Sequence, residues 1–347
     1  MKKYTVILTM AFVLGITGCQ KQTENPNNVD KGMMAIEQEY YQEALASFEA
    51  AVSENEDLAS AYRGMGMAHM GLGEYQKAVD FFDQALAQTD EKMERMKKDI
   101  LYYKASSLYC LKDYAGTIAV CEAILKIAGE GDAYYLIGSS YLELEEKEKA
   151  TVNFDNAVAI QPEDYDLYLN IYEGYNEKKL SAEGDVYLQK ALAIESKGDE
   201  DAYQKARIYY YLGNYEKAQE QLAMLTDKKN PEALLLLGKV YLALGDTAHS
   251  RNIYGQYMAE YGETPSAYNG IVLADLADED YDAALANAQK GLALEQEKGK
   301  KELSYNQIVA YEGKKDFISA KEKAGQYAAR YPADSMGRKE NEFLQSR

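Results

Sequence analysis

The chain has 347 residues, with 38 basic and 57 acidic side chains and a formal net charge of −19. Hydrophobic residues make up 47% of it, so the chain can bury a core and is not of disordered composition. A surface this negative repels phosphate backbones and anionic lipid headgroups. Nucleic-acid binding and membrane attachment through a basic patch are therefore excluded as predicted functions.

The N-terminus has the order of a secretory signal peptide. Two lysines precede an apolar run over residues 4–16, and small residues follow. That run is shorter than the roughly 20 residues of a transmembrane helix. Its end, with Gly18-Cys19, resembles the lipobox of bacterial lipoproteins, in which the cysteine is lipidated. The resemblance predicts a signal peptide at residues 1–18; an ordinary signal peptide with an incidental cysteine and an uncleaved anchor are the alternatives.

The segment behind the lipobox is polar and aperiodic, which predicts a flexible tether over residues 19–29. A multiply acylated Cys19 would hold such a tether stably at a membrane. Cleavage before Cys19 removes two lysines and no acidic residue, which changes the net charge from −19 to −21.

A pattern then returns about every 34 residues, from Gly32 to Pro332. In its clearest copy, residues 59–86, large and small side chains are spaced three and four apart on either side of a turn at Gly73. This spacing predicts two amphipathic helices folded into a hairpin. One hairpin cannot bury its apolar surface alone, so the repeats are predicted to stack around a continuous core.

The pattern resembles the tetratricopeptide repeat, and this resemblance implies an all-α, right-handed α-solenoid of about nine hairpins over residues 30–334. Small residues recur in the first helix, at Gly32, Gly66, Ala105, Gly138, Ala206 and Gly238. An aromatic residue recurs at the turn, at Tyr41, Tyr75, Tyr114, Tyr215, Tyr281 and Phe317.

Some copies depart from the pattern. Tyr172, Val272 and Ile308 fill a slot where glycine or alanine is expected, which makes the helix spacing in copies five, eight and nine uncertain. Residues 91–97 are inserted between copies two and three and are predicted to lengthen a helix or loop. Residues 335–347 are predicted to form a capping helix or tail, because an open end of the solenoid needs a polar outer face.

Catalytic and metal-binding patterns are missing from the sequence. The two histidines, His69 and His249, are 180 residues apart, and His69 occupies a slot of the repeat that faces the core. Of the remaining cysteines, Cys121 is predicted to be a core residue and Cys110 a free thiol. The chain is predicted not to be an enzyme and to bind no cofactor or metal.

The family resemblance implies a partner-binding groove lined by the first helices. Its apolar, tyrosine and arginine positions are not those that the hairpin core requires, so they are expected to be exposed and to bind a protein or peptide. Tighter winding of the solenoid, which would bury part of this face, is the alternative. The candidate groove residues are Met67, Met70, Tyr102, Tyr109, Tyr135, Leu142, Tyr203, Arg207, Tyr210, Leu235, Leu242, Leu273 and Leu276.

The combined resemblances imply a lipid-anchored scaffold or adaptor of the bacterial cell envelope, facing outside the cytoplasm. The family's carboxylate clamp, an arrangement of lysine and asparagine, is not matched; Arg63 is the nearest candidate for such a role. A solute-binding lipoprotein for a peptide or glycan is the alternative. The near-constant repeat spacing argues against it, because related glycan-binding lipoproteins carry long insertions.

Overall fold

The computed structural model describes residues 26–195, 198–225, 230–332 and 334–346. Every regular element in these ranges is helical, and the helices form nine hairpins followed by one more helix. The first helix of each hairpin is called A and the second B. Hairpins 1 to 5 are Asn28–Glu37 with Tyr41–Ser53, Leu58–Gly71 with Tyr75–Ala87, Glu94–Cys110 with Tyr114–Ile127, Gly131–Glu143 with Lys147–Ile160, and Tyr165–Glu177 with Ser181–Leu192. Hairpins 6 to 9 are Asp199–Tyr211 with Tyr215–Ala223, Pro231–Ala243 with Thr247–Tyr261, Pro265–Ala277 with Tyr281–Ala293, and Lys300–Gly313 with Phe317–Arg330.

The chain separates into two compact units, an N-terminal unit that ends at Tyr187 and a C-terminal unit that begins at Leu188. Within the C-terminal unit, the A helices of hairpins 6 to 9 contact their neighbours directly. The final helix, Ser335–Gln345, packs on the B helix of hairpin 9 and lies within the predicted capping segment. The predicted fold class, an all-α solenoid of helical hairpins, is confirmed.

Each A helix ends in the same tight turn. In hairpin 2, the Gly73 N–H donates to the Met70 carbonyl at 2.9 Å and the Glu74 N–H to the His69 carbonyl at 2.8 Å. These two bonds satisfy carbonyl groups that would lack a partner at the end of the helix. The residue at this position has a left-handed backbone in all nine hairpins, at Glu39, Gly73, Lys112, Glu145, Lys179, Gly213, Gly245, Glu279 and Lys315. The B helix then begins at the predicted turn aromatic, as at Tyr75.

Glycines in the A helices face aromatic rings of the B helices. A Cβ atom added to Gly66 would lie 2.4 Å from the Phe82 ring, and Phe82 is fully buried. Phe48 is in the same position relative to two glycines, because a Cβ on Gly32 or Gly64 would meet its ring at 2.5 or 2.2 Å. The small residues of the repeat are therefore required by the approach of the two helices.

The departures in copies eight and nine reverse this pairing of sizes. Val272 is fully buried in a core cluster with Ala284 and Ala288, so the large side chain comes from the A helix and the small ones from the B helix. Ile308 has the same relation to Ala320 and Ala324 in the core of hairpin 9. The core stays filled because the exchange conserves its volume.

The N-terminal features predicted from the sequence lie mostly outside the described residues. The signal peptide, Cys19 and the tether up to residue 25 are among them, whereas the first helix begins at Asn28, so residues 28 and 29 of the predicted tether are helical. No helix in the described part of the chain is long and apolar enough to span a bilayer. Cys121 is fully buried in the core of hairpin 3, and the Cys110 thiol is half-buried.

Candidate partner-binding faces

Seven of the predicted groove residues lie on the A helices of hairpins 6, 7 and 8 in matching register. Tyr203 and Leu235 are the fifth residues of their helices, and Arg207 and Leu273 the ninth. The remaining three are twelfth, at Tyr210, Leu242 and Leu276. All seven are half-buried, and because these A helices contact one another they form a single surface, called here the C-terminal A face.

The aromatic end of the C-terminal A face is anchored in the core. Tyr203 and Tyr210 pack against the buried cluster of hairpins 6 and 7, and the Tyr210 ring lies 5.6 Å from that of Tyr215. Burial, with a smaller contribution from Tyr215, raises the pKa of Tyr210. Arg207 donates to Gln204 at 2.6 Å and lies 6.0 Å from the centre of the Tyr203 ring. These contacts hold the side chains in place while part of each stays accessible.

The six candidate residues of the N-terminal unit are placed differently. Met67 is half-buried, whereas five are buried: Met70, Tyr102, Tyr109, Tyr135 and Leu142. Their predicted exposure is wrong. The alternative, burial of part of this face by the packing of successive hairpins, applies to them.

Neighbouring helices explain this burial. Tyr102 and Tyr109 belong to a core cluster with Leu136 on the A helix of hairpin 4. Tyr135 packs on Phe154 at 5.9 Å between ring centres, and burial raises the pKa of Tyr135 to about 12. Each ring is thus covered by its own or the next hairpin.

The N-terminal unit contains a cavity of about 640 Å³ that the sequence reasoning missed. It is called here the insertion cavity, because four of its nine lining residues come from the inserted segment 91–97. The insertion lengthens the A helix of hairpin 3 to 17 residues. The lining residues are Arg63, Lys92, Met93, Arg95, Met96, Lys98, Asp99, Tyr102 and Glu130. The sequence indicated this cavity only through the break in repeat spacing at residues 91–97.

A hydrogen-bonded group forms one wall of the insertion cavity. Lys98 forms an ion pair with Glu130, and the Tyr102 hydroxyl donates to the other Glu130 oxygen at 2.7 Å. Burial opposes ionisation of Glu130, but the bonds from Lys98 and Tyr102 outweigh it and lower the pKa of Glu130. Burial and the bond to Glu130 raise the pKa of Tyr102, so its hydroxyl remains a donor at neutral pH.

The histidines have local partners that account for their positions. His69 lies in the core of hairpin 2, its Nδ1 is 2.6 Å from a Glu74 carboxylate oxygen, and its ring stacks on Phe81. The His249 Nδ1 is 2.7 Å from a carboxylate oxygen of Asp246, the residue that caps its own helix. Within the described ranges, no group of three or more histidine, cysteine, aspartate and glutamate side chains is arranged to hold a metal ion.

Comparison with known families decides the identity of the repeat. Models described as "Tetratricopeptide repeat" match residues 29–92, 131–164 and 203–267. Over these ranges the chain consists of tetratricopeptide repeats. The matched ranges include hairpins 2, 4 and 7 in full and all but the first residue of hairpin 1. The remaining hairpins have the same turn. Tetratricopeptide arrays serve as scaffolds for protein–protein interaction, and this chain has their fold.

Two proteins similar in sequence cover parts of the chain. "DnaJ homolog subfamily C member 7 homolog" of Dictyostelium discoideum is 26% identical over 182 residues, which are 51% of this chain and 32% of that protein. "TPR repeat-containing protein MJ1428" of Methanocaldococcus jannaschii is 26% identical over 247 residues, 66% of this chain and 42% of that protein. The chain thus spans less than half the length of either relative.

Two solved structures are similar to the chain at low sequence identity. A tetratricopeptide repeat protein from Parabacteroides merdae matches with a TM-score of 0.48 at 14% identity, over 73% of this chain and 98% of that one. MamA matches with a TM-score of 0.42 at 19% identity, over 51% of this chain and 98% of that one.

Proposed function

We propose that this tetratricopeptide-repeat protein is a lipid-anchored scaffold of the bacterial cell envelope that binds a protein partner on the C-terminal A face. The observation that carries the proposal is the alignment of tyrosine, arginine and leucine side chains in matching register on three successive A helices. The signal-like N-terminus and Cys19 support the membrane anchor, and the family supports binding of a protein rather than catalysis.

The composition of the C-terminal A face suits a protein interface. Interfaces concentrate binding energy in a few tyrosine, tryptophan and arginine anchors surrounded by apolar contacts. Tyr203, Arg207 and Tyr210 supply such anchors at one end, and the leucines of hairpins 7 and 8 supply the apolar surround. Since the core already holds the tyrosine rings, a partner does not have to order them on binding.

Site-specific crosslinking tests the partner-binding face. A photo-crosslinking residue placed at position 235 of the full-length protein in its native membrane should capture the partner. The same residue at position 216, on the B helix of hairpin 6, should not. The partner identified in this way is then used in a binding measurement.

In that measurement, the double variant Tyr203→Ala with Arg207→Ala should bind the partner more weakly by about 2 kcal/mol, roughly thirtyfold in Kd. The matched control is Glu216→Ala with Glu220→Ala, which removes two exposed side chains from the B helix. Equal losses in the two variants would contradict the assignment. A large fall in melting temperature for the first variant would show that Tyr203 acts as a core residue instead.

The anchor is tested separately. Cys19→Ser should abolish incorporation of labelled fatty acid and release the protein from membranes, whereas Cys110→Ser should leave anchoring intact. Fatty-acid labelling that persists in the Cys19→Ser variant would refute lipidation at Cys19. It would not contradict the proposed scaffold function.

A further inference from the structure

The insertion cavity has the opposite charge to the rest of the protein. Four of its nine lining residues are basic and two are acidic, in a chain whose net charge is −19. A local excess of positive charge in such a chain attracts anions that the remaining surface repels. The inserted segment supplies two of the four basic lining residues, Lys92 and Arg95.

The two acidic residues of the cavity are already engaged. Asp99 accepts from the Nε of Arg63, whose guanidinium lies 5.4 Å from the centre of the Tyr103 ring. Glu130 is held by Lys98 and Tyr102. These pairs fix the positions of Arg63 and Lys98. Arg63 donates to Asp99 through its Nε, so its two Nη groups take no part in that bond.

The other two basic side chains have no such partners. Lys92 and Arg95 are exposed, and within the described part of the chain neither forms an ion pair. Lys92 lies in the turn before the A helix of hairpin 3, and Arg95 is the second residue of that helix. Both precede Lys98. A ligand carboxylate at this edge of the cavity would therefore meet two cations that the protein does not neutralise.

An apolar surface adjoins these cations. Met93 and Met96 line the cavity and are half-buried, and Tyr102 also lines it. Methionine side chains adapt their shape to apolar groups. The cavity volume of about 640 Å³ falls within the range of sites that hold small organic ligands or a few residues of a peptide.

We propose that the insertion cavity binds a short acidic peptide segment of a partner protein, with an apolar side chain between its acidic ones. The carboxylates would pair with Lys92, Arg95 and the free side of Arg63, and the apolar side chain would contact Met93 and Met96. A simple inorganic anion would leave the apolar wall unused. This site is independent of the C-terminal A face, and either can fail without the other.

The test uses the full-length protein in detergent and a fluorescein-labelled pentapeptide, Glu-Leu-Glu-Leu-Glu, blocked at both ends. Fluorescence anisotropy at low salt should give saturable binding. The matched peptide Gln-Leu-Gln-Leu-Gln should bind at least tenfold more weakly, because it presents the same apolar groups without charge. Equal binding of the two peptides, or no binding of the acidic one, would overturn the proposal.

Two matched double variants locate the peptide. Lys92→Gln with Arg95→Gln should weaken binding of the acidic pentapeptide about tenfold or more. Lys31→Gln with Arg338→Gln removes the same two charges from exposed positions elsewhere and should leave the Kd within about twofold. An equal loss in both variants would mean nonspecific attraction to positive charge and would overturn the site.

A further variant and a competitor separate a peptide site from an anion site. Met93→Gln should weaken binding of the acidic pentapeptide severalfold, because it makes the apolar wall polar. Inorganic phosphate at the pentapeptide's Kd should displace little of it. An unchanged Kd in Met93→Gln, or displacement by phosphate at that concentration, would show that the cavity takes any anion and would refute the peptide assignment.

Discussion

At the scale of single residues, the fold depends on how closely the two helices of a hairpin approach. Gly66 and Gly255 both lie inside helices, yet their surroundings differ. A Cβ on Gly66 would overlap the buried Phe82 ring, whereas a Cβ on Gly255 would meet nothing within 4 Å. The same substitution at the two positions should therefore change stability in opposite directions.

Gly66→Ala should lower the free energy of unfolding by about 1 to 3 kcal/mol, because the added Cβ would overlap the fully buried Phe82 ring. Gly255→Ala should raise it by up to about 1 kcal/mol, since alanine favours a helix interior. Urea unfolding followed by far-ultraviolet circular dichroism measures both. An increase in the free energy of unfolding with Gly66→Ala as well would mean that the helices pack less closely around Gly66 than the structure shows.

The sequence predicts the size pattern of the core better than it predicts exposure. The recurring small residues identify the contact between A and B helices, and the reversal at Val272 and Ile308 is visible as a departure in the sequence. Tyr102 packs on the next hairpin and Tyr135 on the Phe154 ring of its own hairpin, so the burial of each depends on how near that neighbour comes. The periodicity of one helix does not determine how near the covering helix lies.

At the scale of elements, the turn between A and B helices is the most uniform feature of the protein. Six of its nine instances have a residue other than glycine with a left-handed backbone, for example Lys315 with a φ of 62°. A side chain makes this conformation less favourable, whereas glycine adopts it readily. These six turns are therefore less stable than the same turn with glycine.

Lys315→Gly should raise the free energy of unfolding by up to about 1 kcal/mol, because glycine removes the Cβ strain of the left-handed residue. Lys323→Gly is the matched control, an exchange inside the following B helix that should lower it by about 1 kcal/mol. Thermal unfolding of both variants gives the comparison. If Lys315→Gly destabilised the protein like its control, the turn geometry assigned here would be incorrect.

The final helix depends on one carboxylate. Asp334 accepts from the backbone N–H groups of Met336 and Gly337, from the Tyr327 hydroxyl at 2.7 Å, and from Lys301 at 2.6 Å. The bond from Lys301 comes first among the interactions that hold the pKa of Asp334 far below its usual 3.8, and burial opposes them only in part. The carboxylate is thus bound most strongly in its charged form.

Because the folded-state pKa lies below the unfolded one, this stabilisation is complete above about pH 4 and is lost as the pH falls through the folded value. Hydrogen-exchange protection of residues 335–345 should decrease steadily below about pH 4. Asp334→Asn should show weak protection already at neutral pH and a smaller change with acid. Parallel acid profiles in the two proteins would indicate that other groups control this helix.

At the scale of the whole molecule, salt bridges join consecutive hairpins within each unit. Lys178 bonds Glu143 at 3.0 Å, 35 positions earlier, and the Arg251 Nε bonds the buried Asp275 at 2.7 Å, 24 positions later. Both pairs are largely shielded from solvent, so removing one partner would leave the other charge without compensation. The sequence could not reveal the insertion cavity, because the inserted segment has no period from which to place its side chains.

The two proposed binding surfaces should differ in their response to salt. The C-terminal A face contacts a partner mainly through tyrosine and leucine, so its dissociation rate should change little as ionic strength rises, although a partner steered by the negative surface should associate more slowly. Charges farther apart than about 8 Å are screened at physiological ionic strength. The insertion cavity relies on Lys92 and Arg95, so its affinity for the acidic pentapeptide should fall severalfold over the same range.

Surface plasmon resonance between about 0.05 and 0.5 M salt separates these effects into association and dissociation rates. Tyr203→Ala with Arg207→Ala should speed dissociation of the crosslinked partner at every salt concentration and leave pentapeptide binding unchanged. Lys92→Gln with Arg95→Gln should remove most of the salt dependence of pentapeptide binding and leave the partner's dissociation rate unchanged. A partner whose dissociation accelerates with salt, and which is insensitive to the Tyr203 variant, would instead be held by the acidic outer surface, since only charge contacts weaken in this way.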